Sequence, residues 1–140
     1  MGKKINEKFI NAYNELDRNC GRKFGIATGG VTEYINRLHT TRFAPRRDEV
    51  IHHLVKYRNI RNLFAHELRA IKKNDELVNA DLLWIKRFNR DLQRRKDPIS
   101  AYLRKARRYA RHMKLRRYAI GIAFVIMLLI IILVIILVGK

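Results

Sequence analysis

Residues 119–139 read AIGIAFVIMLLIIILVIILVG, with no charged side chain in the run. At about 1.5 Å per helical residue this stretch reaches roughly 31 Å, close to the ~30 Å hydrocarbon core of a bilayer. A helix satisfies every backbone polar group internally, as lipid requires. A half-buried helix of a soluble domain would show a polar face, and none is present here. The sequence therefore predicts a transmembrane helix over 119–139. No comparable run lies near Met1, which argues against a signal peptide. The start MGKKIN lacks the serine or threonine that a myristoylation signal places sixth.

The flanks of this stretch set its orientation. Arg104, Lys105, Arg107, Arg108, Arg111, Lys114, Arg116 and Arg117 precede it, and Lys140 alone follows. The positive-inside bias places residues 1–118 in the cytoplasm and makes the span a C-terminal tail anchor. A cytosolic setting also keeps the single cysteine, Cys20, reduced. The basic tract has two readings. It can serve topology and attract anionic lipid headgroups, worth about 1 kcal/mol per side chain near the surface. It can also contact RNA phosphates. Tyr102, Tyr109 and Tyr118 are interleaved with these charges and suit both an interfacial belt and base stacking. From Pro98 the helical pattern either continues into the membrane as a stalk or gives way to a charge-extended linker.

Further out, the composition separates into two materials. The 140 residues hold 31 Lys and Arg against 12 Asp and Glu, a formal charge of +19. Residues 1–97 carry 22 basic and 12 acidic side chains, and 98–117 carry 8 basic and no acidic ones. The soluble part is thus basic on its own account, at +10. One cysteine excludes an internal disulfide and a thiolate metal cluster. Seven glycines and two prolines exclude collagen-like and proline-rich classes.

Within 1–97 the apolar spacing is helical, with no alternating strand pattern. Ile5, Phe9, Ala12 and Leu16 mark a first helix over about 5–19. Cys20 to Gly30 holds four of the seven glycines and reads as a loop. Val31, Tyr34, Ile35 and Leu38 mark a short second helix. Pro45 ends the next loop, and Asp48 is the expected N-cap of a third helix that closes near Leu63. Asn74, Asp75 and Glu76 open a fourth, carrying Leu77, Leu82, Ile85, Phe88 and Leu92. Asp97-Pro98 fits an N-cap followed by proline at the first helical position. The expected architecture is all-α: a four-helix cytosolic domain over 1–97, a basic juxtamembrane segment over 98–118, and the span. A domain of about 97 residues is marginal in buried area, so a second copy would help it, and two anchors in one membrane raise local concentration.

Residues 57–67 read YRNIRNLFAHE. RNA can be cut without metal when its own 2′-hydroxyl attacks the neighbouring phosphate. That needs a proton acceptor, a proton donor and a cation for the developing charge. Histidine titrates near neutrality and can do either proton job. Arginine offers a permanently charged planar fork for two phosphate oxygens. Asparagine can orient the imidazole or donate to phosphate. Asn62 and His66 are one helical turn apart and share a face. Arg61 is offset from Asn62 by about 100°. That geometry works better if the helix ends near Leu63 or if Arg61 reaches a shared cleft.

Arg61, Asn62 and His66 resemble the signature of the HEPN superfamily, an arginine and a polar residue followed after a short gap by histidine. The resemblance covers roughly residues 5–97 in helix order and length. It implies a four-helix HEPN-like bundle and a metal-independent endoribonuclease with Arg61, Asn62 and His66 catalytic. It implies no cofactor. One copy supplies one histidine, so a two-fold homodimer with facing motifs would provide both acid and base. With both anchors in one membrane, that axis would stand along the membrane normal. Such domains resemble toxins and stress or phage-defence effectors, which adds a protein regulator or antitoxin as a partner. Other HEPN domains resemble binding modules, so a catalytically inactive tail-anchored adaptor or scaffold is the alternative. A short domain of this kind with a tail anchor suits a bacterial inner membrane.

The remaining residues take structural readings. His52 and His53 are adjacent and point about 100° apart on a helix, so they do not chelate. His39 and His112 are isolated. The acids are scattered among the bases, unlike the clustered carboxylates that hard cations need. The glycines show no phosphate-loop spacing. Asp17, Asp48 and Glu49 read as helix-terminal or surface charges, and Glu67 could hold the His66 imidazole. Without catalysis, Arg61 would salt-bridge to Asp17 or Glu49, Asn62 would cap a turn, and His66 would close a helix C-terminus.

Overall fold

The computed structural model describes residues 2–66 and 77–138. Among these the regular structure is entirely helical: α1 Gly2–Phe24, α2 Gly30–Thr40, α3 Arg47–His66, α4 Asn79–Gln93 and α5 Pro98–Val138. The chain falls into two compact units, Met1–Tyr102 and Leu103–Lys140.

In the first unit α1 packs against α2, α3 and α4, and α2 packs against α3. The core gathers the apolar stripes of these helices, with Leu16, Val31, Tyr34, Leu38, Leu54, Tyr57 and Ile85 fully inaccessible. Each such side chain contributes roughly 1.5–3 kcal/mol through burial. Aromatic edges lock the stripes together: Phe9 meets Tyr57 at 5.9 Å and Tyr34 meets Phe88 at 5.5 Å, both T-shaped. Asn89 bridges α1 and α4, accepting from Asn19 and donating to Glu15, each at 2.8 Å.

The sequence reading ends α1 too early. Cys20 and Gly21 lie inside it, and the helix runs on to Phe24. The glycines here serve packing before they serve turning. A Cβ at Gly30 would overlap the Asp17 carbonyl oxygen and the Gly21 backbone nitrogen, so the first turn of α2 sits directly on the backbone of α1. Only Gly25 and Gly29 take the left-handed conformation that a turn asks of glycine. Gly29 has no side chain to cap α2. Asp17 caps it from α1 instead, accepting the Val31 N–H at 2.8 Å.

The third helix also outruns its expected bounds. It begins at Arg47, so Asp48 lies in its first turn rather than at its N-cap, and it continues past Leu63 to His66. The expected helix start at Asn74, Asp75 and Glu76 lies outside the described residues. Leu77 is buried ahead of α4 rather than within it. The helix opens with Asp81 accepting the Val78 N–H at 3.1 Å. It closes in a Schellman motif, with Arg95 left-handed and Lys96 N–H bonded to the Asp91 carbonyl.

Asp97-Pro98 behaves as read. Asp97 accepts the Ser100 N–H at 3.2 Å, and Pro98 opens α5. Pro98 and Ile99 are buried and Tyr102 packs on the core, so the first turn of α5 belongs to the bundle. The physical boundary therefore falls after Tyr102 rather than before Pro98.

The second unit is the rest of α5. Its backbone is helical without interruption through the basic tract and the apolar run. Among the described residues this is the one helix long and apolar enough to cross a membrane.

Candidate functional site

Arg61 and Asn62 project from the last turns of α3, and both are exposed. Helix α3 does not end near Leu63, yet the 100° offset between the two is overcome. The Arg61 stem is long enough to bring Nη1 to the Asn62 Oδ1 at 3.3 Å. Residues 54, 57, 60 and 64 turn one face of α3 into the core. Asn62 points away from that face, whereas Arg61, one turn from Tyr57 and from Phe64, leaves the helix at its exposed edge. His66 is the last helical residue of α3, one turn beyond Asn62. The His66 side chain and Glu67 lie outside the described residues.

Neither Asp17 nor Glu49 takes Arg61 in an ion pair among the described residues. Asp17 is committed to capping α2. Nor does Asn62 cap a turn, since α3 runs past it. Tyr13 is buried on the α1 side of this region and feels the positive charges of Arg61 and Arg58. Its hydroxyl is nonetheless pushed up to about 12, by burial first and by the Asp17 charge second. The sequence reading passed over Tyr13, which occupies an ordinary core position of α1.

Two further polar clusters lie inside the bundle. In the first, the Asp97 carboxylate accepts from the Lys23 ammonium at 2.5 Å and from the Tyr34 hydroxyl at 2.8 Å. Lys23 also reaches the Ser100 hydroxyl at 2.8 Å. Burial pushes Asp97 up, but the bonds from Lys23, Ser100 and Tyr34 outweigh it and hold the carboxyl below the ordinary range. The same burial and the Asp97 charge push the Tyr34 hydroxyl well up.

The second cluster joins α3 to α4. Tyr57 donates to Asp81 at 3.0 Å, and Lys56 reaches the same oxygen at 3.1 Å. The Tyr57 hydroxyl hydrogen is spent on the carboxylate, so the His53 Nδ1 at 3.2 Å acts as donor to the phenol oxygen. His53 stacks on Trp84 at 4.5 Å, and burial holds its imidazole below the ordinary value. His53 is therefore a packed residue at the edge of the core. No sequence signal announces the Tyr57–Asp81 pairing, which spans 24 residues between two helices.

Of the basic tract, Arg104, Lys105, Arg107, Arg108, Arg111, Lys114, Arg116 and Arg117 are all exposed on α5, as are Tyr109 and Tyr118. Tyr102 differs, being half-buried against the bundle core. Among the described residues no three His, Cys, Asp or Glu side chains come together as a metal site would require.

Residues 7–120 match the model of a family described as "Family of unknown function (DUF6548)", and the chain belongs to that family. No curated protein and no solved structure matches the chain.

Proposed function

We propose that this member of the DUF6548 family is a membrane-tethered, metal-independent endoribonuclease of HEPN type. The observation that carries the reading is the Arg61–Asn62 pair, solvent-facing and in mutual contact, one helical turn ahead of His66 on a domain of charge +10. The pair lies on the surface, where it can meet a phosphate.

In the reaction the 2′-hydroxyl of one nucleotide attacks the adjoining phosphorus. The bond to the 5′-oxygen breaks, and a 2′,3′-cyclic phosphate remains. His66 takes the hydroxyl proton or supplies the leaving oxygen with one. The Arg61 guanidinium neutralises charge gathering on the non-bridging oxygens. Asn62 holds Arg61 through its Oδ1 and offers its amide N–H groups to the phosphate. A homodimer with facing motifs would provide the second histidine, and basic charge steers RNA to the domain.

The apolar run of α5 supports a single span, and the charges before it support a cytoplasmic domain; the membrane we assign it is a bacterial inner membrane. The tract from Arg104 to Arg117 then sits at anionic headgroups. A growth-arresting toxin or a phage-defence effector held by a protein antitoxin fits this placement.

The test is expression of the intact chain and of His66→Ala, with sequencing of RNA ends. Cyclic-phosphate ends made by the intact chain, reduced about 10²–10⁴-fold in the variant, are expected. Equal cleavage by both would remove the nuclease assignment.

A further inference from the structure

Arg58, Arg61, Asn62 and Ala65 stand at positions i, i+3, i+4 and i+7 of α3, so they form one continuous patch on that helix. Arg61, Asn62 and Ala65 are exposed, and Arg58 is half-buried. Arg58 lies about 4.5 Å along the axis from Arg61 and about 6 Å from Asn62. Ala65 carries only a methyl group and crowds none of the three.

The patch borders the seam between α1 and α3. Phe9 of α1 packs edge-on against both Tyr57 and Phe64, at 5.9 and 6.2 Å. Arg61 is one helical turn from each of those two residues. Tyr13, one turn beyond Phe9 on α1, stacks on it at 6.2 Å. The charges of Arg58 and Arg61 both act on the Tyr13 hydroxyl. The two guanidiniums therefore converge on one place at the seam instead of diverging into solvent.

Converging like charges call for a counter-charge, and the described residues of the bundle do not supply one. Neither guanidinium forms an ion pair among them. Asp17 also acts on Tyr13, but its Oδ1 accepts the Val31 N–H at the start of α2, where a helix N-terminus meets its charge. Two planar forks beside an amide suit an oxyanion with several oxygens. The cleavage step creates such a group. As the 2′-oxygen adds to phosphorus and its proton leaves to a base, the single charge of the diester becomes two. The second charge persists until the bond to the 5′-oxygen breaks and that oxygen is protonated. One arginine matches the diester, and two match the group in transit. We propose that Arg58 is a second cation of the cleavage site, cradling with Arg61 the scissile phosphate as charge builds on it. This inference rests on the nuclease reading for the identity of the phosphate.

The experiment uses the full-length chain in lipid nanodiscs. Arg58→Ala is expected to lower kcat for RNA cleavage about 10²-fold and to leave KM near its original value, because the second charge exists only in transit. Arg58→Lys should recover part of that loss. Arg90→Ala, which removes an exposed cation from α4, should leave kcat near that of the parent. Unchanged thermal melts keep a folding defect apart from a catalytic one. A second measurement needs no variant. Phenylglyoxal modification, read by mass spectrometry, should slow at Arg58 and Arg61 together when a non-cleavable 2′-O-methyl oligoribonucleotide binds. Arg37, paired with Glu33, should keep its rate. Full-rate cleavage by Arg58→Ala, an equal loss in Arg90→Ala, or protection of Arg61 without Arg58 would overturn the cradle. If the intact chain cuts no RNA, the nuclease reading fails, while joint protection of the two arginines would still uphold them as a phosphate site. If it cuts RNA and Arg58→Ala cuts as fast, the cradle fails alone.

Discussion

Asp97 and Arg61 are both charged and both stand among hydrogen-bonding neighbours. Asp97 has no exposed surface and gathers Lys23 from α1, Tyr34 from α2 and the Ser100 N–H from the first turn of α5. Arg61 is exposed, and its described hydrogen bond goes to the adjoining Asn62. The difference separates two uses of charge. Around Asp97 three helices supply donors to one carboxylate oxygen, Oδ2, so the cluster is architecture: it ties the first turn of α5 to the bundle. Around Arg61 the scaffold supplies a direction and one orienting contact, and leaves the guanidinium facing solvent.

The strongest way to break this contrast is Asp97→Ala. It strands the Lys23 ammonium in a site with little water and removes the acceptor of the Tyr34 hydroxyl. A loss of about 3–5 kcal/mol is expected, because one partner of a buried pair is left uncompensated. Chemical unfolding of the full chain in detergent measures it. A variant as stable as the parent would show that the cluster is not structural.

Acid is a milder version of the same deletion. Asp97 and Asp81 are both held below the ordinary 3.8, so their contribution is complete above that value and disappears as pH falls through their native values. His53 is held below its ordinary 6.5, so the unfolded chain takes up its proton first. Stability should therefore start to fall gently as pH drops below about 6.5, and fall more steeply below about 4. Melting temperature against pH reads both stages. His53→Gln should erase the first and spare the second, and a rise in stability between pH 6.5 and 5 would contradict the role given to His53.

Tyr57→Phe is expected to cost less. It removes the hydroxyl that donates to Asp81 and receives from His53, but Lys56 and the Val78 N–H still serve the carboxylate. A loss of about 1.5–3 kcal/mol suits a hydrogen bond to a charged group. A variant within about 0.5 kcal/mol of the parent would mean that the α3–α4 link depends on the His53–Trp84 stack instead.

These sites also show what the sequence could reveal. Val31, Tyr34, Ile35 and Leu38 follow helical spacing, and all four are buried in α2. The Arg61–Asn62 contact was less visible, because adjacent residues leave a helix about 100° apart and only the length of the arginine stem closes the gap. Gly21 misled for another reason. A glycine in isolation suggests a turn, but here it lies within α1, where a Cβ would meet the Ile26 carbonyl oxygen at 2.7 Å, and the partner that explains it arrives five residues later. The bonds of Lys23 to Asp97 and of Tyr57 to Asp81 join different helices, and only the packed bundle specifies them.

The smallest expected effect on stability is the most telling for function. Arg61→Ala and Asn62→Ala remove exposed side chains whose described contact is with each other, so each should stay within about 0.5 kcal/mol of the parent. If Arg61 clamps the scissile phosphate, RNA cleavage by Arg61→Ala should nevertheless fall by about 10²–10³. Arg61→Lys restores the charge without the planar fork and should recover only part of that loss. Asn62→Ala, which frees the guanidinium from its orienting contact, should be less severe than Arg61→Ala. The order matters more than any single value. A surface pair that served only solubility would leave stability and cleavage both unmoved. A pair that belonged to the framework, as Asp97 does, would lose them together. Only a site kept apart from the framework loses activity while the melting curve stays where it was.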